Sequence, residues 1–100
     1  MMSEFKDLVT ADIRLVLLRT LNETAGYSCN ESILHSILGK FGHNISRDRV
    51  RTELVWLGEQ ALLSLEDVAG IYVATISQRG SDVASGSASV PGVKRPNPRG

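Results

Sequence analysis

Val50, Leu54, Leu57 and Ala61 recur at i, i+4, i+7 and i+11. This spacing constrains the chain more than any other, because it lays one apolar stripe along an α-helix over 46–60, SRDRVRTELVWLGEQ. Ser46 stands where an N-cap belongs, its hydroxyl ready to accept an orphan N–H of the first turn. Ile45 and Val50 are spaced as a hydrophobic staple that sets the helix's entry angle. The stripe crowds Arg47, Arg49, Arg51, Asp48 and Thr52 at the N-terminal end. A helix held by its back and offering arginines at its start suits a major groove. The same arginines on a solvated helix pair with local acids. Arg49 with Glu53, and Asp48 with Arg51, have intrahelical spacing, worth a few tenths of a kcal/mol per pair in water. Arg47 has no partner at helical spacing ahead of it.

Around this helix the chain reads as a series of short elements. Residues 3–23 predict a long first helix, capped by Ser3, with room for a kink near Thr10. Its apolar side runs through Phe5, Leu8, Val9, Ile13, Val16, Leu17, Thr20 and Leu21. Leu15 and Leu18 fall outside that stripe, and with Phe5 they predict a dimer seam, since a helix apolar on more than one side needs a second cover. Residues 24–29 are a connector turning at Gly26, with a short strand at Tyr27–Cys29. Asn30 caps a second helix with Glu31 at its positive end. Its buried face is predicted at Ile33, Leu34, Ile37, Leu38 and Phe41, and Gly42 is placed to end it. His35 falls on its polar, solvated side.

After the central helix the period changes from helical to alternating. Leu63 and Leu65 alternate with Ser64 and Glu66, Asp67–Gly70 supply a turn, and IYVATI follows as a second strand. Ser77 caps a last helix, QRGSDVAS, with Val83 and Ala84 inward and Gly86 closing it. Trp56 and Val55 lie well off the central helix's stripe. Trp56 is therefore either covered by the hairpin or the tail, or serves as an interface anchor.

One hundred residues bound the chain to a single domain with a small core. Residues 1–86 form that domain, and 87–100 a basic Pro/Gly-rich C-terminal tail, an arm without a core of its own. The tail holds Lys94, Arg95 and Arg99 and no acid, so the rest carries 8 basic and 11 acidic side chains, a balance of −3. That sign opposes non-specific duplex binding, which depends on cations neutralising phosphates. The single Cys29 excludes an internal disulfide and suits a reducing compartment. No apolar run is long enough for a bilayer span or a signal core.

Phosphate loops, nucleophile elbows, HExxH and paired-carboxylate patterns are absent, so no catalytic residue is assigned and an enzyme is not expected. Cys29, His35 and His43 are the only soft ligands, too few and too scattered for a metal site. No cofactor or small-molecule effector is expected.

The element order is helix, short strand, helix, helix, strand, strand, helix, tail. It predicts a mainly α chain with a small β-hairpin (α+β), a winged helix-turn-helix with residues 63–76 as the wing. IRLVLLRTLNE resembles the first helix of ArsR-type winged-helix regulators, and LVWLGEQALLSLED with ATISQRGSDVA resembles their helix exit, wing and last helix. GYSCNES, SRDRVRTELVWL and VPGVKRPNPR are similar to a group of small ArsR-like proteins of Mu-like bacteriophages and prophages, over residues 3–99. The closely spaced cysteines of the metal-sensing regulators are missing from 46–60. The resemblance implies a cytoplasmic DNA-binding transcriptional regulator in the bacterial host, a homodimer on double-stranded DNA. Ser46, Arg47, Arg49, Arg51 and Thr52 would contact DNA, with Lys94, Arg95 and Arg99 of the tail. The alternative is a winged-helix protein–protein interaction module that has lost DNA binding, as the acidic body allows.

Overall fold

A computed structural model of the chain describes residues 2–97. The elements run α1 (Met2–Glu23), a 3-10 turn (Ala25–Tyr27), β1 (Ser28–Asn30), α2 (Glu31–Lys40), α3 (Arg47–Glu59), β2 (Leu63–Val68), β3 (Ile71–Ile76) and α4 (Gln78–Ser85). Among the described residues this is an α+β fold of four α-helices and one antiparallel sheet ordered β1-β3-β2. Among the described residues no helix is long and apolar enough to cross a membrane.

Helix ends follow local chemistry. Asn30 Oδ1 accepts from Ile33 N–H at 2.9 Å, Ser46 Oγ from Arg49 N–H at 3.0 Å and Ser77 Oγ from Gly80 N–H at 3.0 Å. Each satisfies one orphan donor of a first turn. At the end of α2, His43 N–H donates to Leu38 O at 2.9 Å and Gly42 N–H to Gly39 O at 3.1 Å. The end of α3 repeats that pattern, with Leu62 N–H on Leu57 O and Ala61 N–H on Gly58 O, each at 3.0 Å. Both are Schellman closures, which require a left-handed residue. Gly42 takes φ 89° without cost, whereas Ala61 is held at φ 62°. Ala61 therefore leaves the stripe and is exposed, and Leu62 enters the core in its place. Ala69 and Gly70, both at positive φ, make the two-residue turn between β2 and β3, and Asp67 Oδ1 accepts from Gly70 N–H at 2.8 Å.

α1 is the central helix. It touches α2, α3, α4 and β3, and Ile13, Leu17, Leu18 and Leu21 have no exposed surface. The helix runs undivided through Thr10, and Ser3 lies inside it rather than capping it. The expected seam is corrected as well: Leu18 is fully buried and Leu15 is 5% exposed within this one chain. A helix surrounded by its own domain needs no second molecule to cover two sides. Its first turns are open, where Phe5 and Leu8 are 64% and 68% exposed. α2 buries a narrower stripe than its sequence suggests, since Leu34 and Leu38 are inside while Ile33 and Phe41 stand in solvent. α4 approaches the α3–β2 connection so closely that a Cβ on Gly80 would sit 2.0 Å from Leu62 O.

The segment after α4 is not a free arm. Val90 and Val93 join the core cluster. Lys94 N–H donates to Ala11 O at 3.2 Å, and Arg14 Nη1 to Gly92 O at 3.0 Å. Gly92 (φ 96°) lies against Trp56 and Arg14, where a Cβ would come within 3.1 Å of both. Residues 87–94 thus strap α1 to α3, and Trp56 is covered by this strap. Two valines and a few backbone hydrogen bonds suffice for a short segment in which Pro91 has already removed part of the freedom.

Candidate interaction face on α3

Three arginines of α3 were expected at a DNA groove, and each is held by a carboxylate. Glu31, the first residue of α2, is 2% exposed. Its Oε2 accepts from Arg47 Nε at 3.3 Å, and its Oε1 accepts from Arg51 Nη1 and, at 2.6 Å, from Tyr72 N–H. Arg51 also donates to Gly70 O at 3.2 Å and stacks 3.9 Å over the Tyr72 ring. Burial alone would raise the Glu31 carboxyl, but the Tyr72 N–H and the two guanidiniums outweigh it and hold it below its ordinary value.

Glu53, 4% exposed on α3, is the second such centre. Its Oε1 accepts from Arg14 Nε of α1 and its Oε2 from Arg49 Nε, both at 2.7 Å. Arg49 Nη2 donates on to Thr10 Oγ1 at 2.7 Å, and Arg14 stacks 3.6 Å over Trp56. The pair Arg49–Glu53 forms as its spacing predicts. The pair Asp48–Arg51 does not, because buried Glu31 offers Arg51 a drier, stronger partner than exposed Asp48.

The histidines also make fixed contacts. His35 Nε2–H donates to Ile45 O at 2.7 Å, so it ties α2 to the entry of α3 and is not the solvated side chain expected. His43 Nε2–H donates to Asp12 Oδ2 at 2.7 Å, and Lys94 Nζ lies 3.4 Å from Asp12 Oδ1. Burial pushes the Asp12 carboxyl up, and His43 and Lys94 bring it below its ordinary value. Burial of Cys29 raises its thiol. Among the described residues no His/Cys/Asp/Glu group could hold a metal ion.

With its arginines paired, α3 turns a different face outward. Asp48, Thr52, Val55 and Glu59 recur at i, i+4, i+7 and i+11, opposite the buried stripe, and all four are exposed. Asp48, Thr52, Val55 and Glu59 line one side of a groove of about 540 Å³, closed by Arg51, Trp56 and Tyr72. Ser46 is spent on its cap and Thr52 faces the groove. Lys94 lies across α1 on Asp12, Arg95 is exposed, and Arg99 lies outside the described residues. The expected DNA residues are therefore not gathered on one surface. Glu31 and Glu53 organise this region, and of their partners only Arg49 stands at a helical spacing that marks it in the sequence. A glutamate at a helix start signals a favourable dipole contact, and nothing local marks it as the partner of two arginines beyond position 46.

No protein-family model matches the chain, and no solved structure matches it. It is similar to "uncharacterized protein gp26" of Escherichia phage Mu, 52% identical over 93 residues that span 93% of this chain and 96% of the phage protein. It is also similar to an uncharacterized protein of Haemophilus influenzae, 57% identical over 76 residues, 75% of this chain and 74% of that one. Identity at this level along nearly the whole of both chains places the protein in one family with gp26 of phage Mu.

Proposed function

We propose that the chain is a winged-helix protein that works as a protein-interaction module through the outward face of α3. The order α1, β1, α2, α3, β2, β3 with the hairpin directly behind α3 supports the winged-helix reading. One observation carries the functional part: the face a recognition helix would turn to a major groove holds Asp48 and Glu59 at its two ends, and each arginine of α3 is paired with a buried glutamate. Two carboxylates set against phosphates oppose binding at every sequence.

The competing reading, a sequence-specific DNA-binding regulator, is favoured by one feature. Arg47 and Arg49 keep 45% and 38% of their side chains in solvent at the start of α3, and they could exchange their carboxylates for phosphate. Titrating labelled duplexes, random and from the protein's own locus, at two salt concentrations decides between the two. No salt-sensitive binding is expected. Binding that weakens by about 1–3 kcal/mol on Arg47→Ala would overturn the module reading. A homodimer remains a proposal and rests on Phe5 and Leu8. Light scattering of the wild type and of Leu8→Asp tests it, with a dimer reduced to a monomer as the supporting result.

A further inference from the structure

We propose that the groove between α3 and the hairpin holds a short extended segment of a partner protein that carries an apolar side chain between two cationic ones. The inference rests on the module reading above and names its partner by chemistry. Asp48 and Glu59 stand at the two ends of the groove, and neither side chain has a hydrogen bond or an ion pair among the described residues. Eleven positions along a helix separate them by about 16 Å at 1.5 Å per residue. Arg51, the one cation lining the groove, is already committed to Glu31, to Gly70 O and to the Tyr72 ring. The unanswered charges of the groove are therefore both negative.

Between them lies an apolar centre. Val55 is 38% exposed, and Trp56 and Tyr72 are half-buried beside it. Each ring has an arginine stacked on one face, at 3.6 and 3.9 Å. The rings are thereby locked before any ligand arrives, which lowers the ordering cost of binding. An extended segment advances about 3.3 Å per residue and alternates its side chains between faces, so cations four positions apart, about 13 Å, share the face turned to the groove; their long side chains reach both carboxylates while the apolar residue midway falls over Val55. Nucleic acid and anionic lipid carry the same sign as the groove and are disfavoured by charge alone.

The test uses the full chain and two labelled peptides, Arg-Ser-Leu-Ser-Arg and Glu-Ser-Leu-Ser-Glu, each flanked by glycines, with fluorescence anisotropy at low salt. The cationic peptide is expected to bind at least about tenfold more tightly than the acidic one. The double variant Asp48→Asn/Glu59→Gln is expected to lose that advantage, and Val55→Ser to weaken binding several-fold. All three residues are exposed, and circular dichroism checks that the variants fold. Equal affinity for both peptides, no binding of either, or an advantage untouched by the double variant would overturn the proposal. Preference for the acidic peptide would overturn the partner chemistry and leave the module reading standing. Duplex binding abolished by Arg47→Ala would overturn the module reading itself.

Discussion

Glu31 and Glu53 solve the same problem in two ways. Each is a buried carboxylate holding two arginines, and each has α3 on one side of the bond. Glu53 joins two helices and finds one partner four residues away on its own helix. Glu31 joins three elements, because the N–H of Tyr72 on β3 completes its shell together with Arg47 and Arg51 of α3. Around Glu53, Arg49 can swing into water if its partner is lost, being 38% exposed. Around Glu31, a backbone donor has nowhere else to turn. A fixed donor makes a buried charge cluster brittle, whereas long mobile side chains make it forgiving. Both clusters draw arginines away from solvent, which is why a helix rich in arginine shows an acidic face.

That difference sets the order of expected effects. Glu31→Ala leaves the Tyr72 N–H without its acceptor and takes the shared carboxylate from Arg47 and Arg51, and should cost about 3–5 kcal/mol in urea unfolding. Glu53→Ala should cost less, about 2–3 kcal/mol, because Arg14 keeps Trp56 and Gly92 O as partners and Arg49 can reach water. Equal losses would erase the contrast. Gly92→Ala should follow at about 1–2 kcal/mol, since it forces a side chain into positive φ against Trp56 and Arg14. It should also loosen the strap, read as faster exchange of the Lys94 amide. Arg47→Ala should cost under about 1 kcal/mol, being half-exposed and at the longest distance from its carboxylate.

Acid sharpens the same contrast. The Glu31 carboxyl is held below its ordinary value of 4.5 in the fold. A depressed carboxylate contributes stability that is complete above its unfolded value and is lost as pH falls through the lower folded one. Stability should therefore decline below about pH 4.5, with Asp12 adding to the decline further down from its ordinary 3.8. Glu31→Gln should flatten the upper part of that slope in pH-dependent unfolding. An unchanged slope would mean that Glu31 is not the group being titrated.

The local features of this chain were legible without a structure. Asn30, Ser46 and Ser77 cap helices as their positions imply, and Gly42 and Gly86 end them, because capping is decided within a few residues. Val50, Leu54 and Leu57 of the expected stripe are buried, Ala61 excepted, and the turn expected within Asp67–Gly70 closes at Ala69–Gly70, since period and turn geometry are also local. What could not be read is everything that depends on which faces meet. Leu15 and Leu18 are core because four elements close around α1, Ile33 and Phe41 are exposed because those same elements leave α2 only a narrow contact, and the strap packs because Trp56 and Arg14 form a seat for Gly92. The fate of the arginines belongs to this second class. Their charge is written in the chain, but the partner of Arg47 is 16 residues away and that of Arg14 is 39. A charge acts over the few ångströms around it, and only folding decides what lies there.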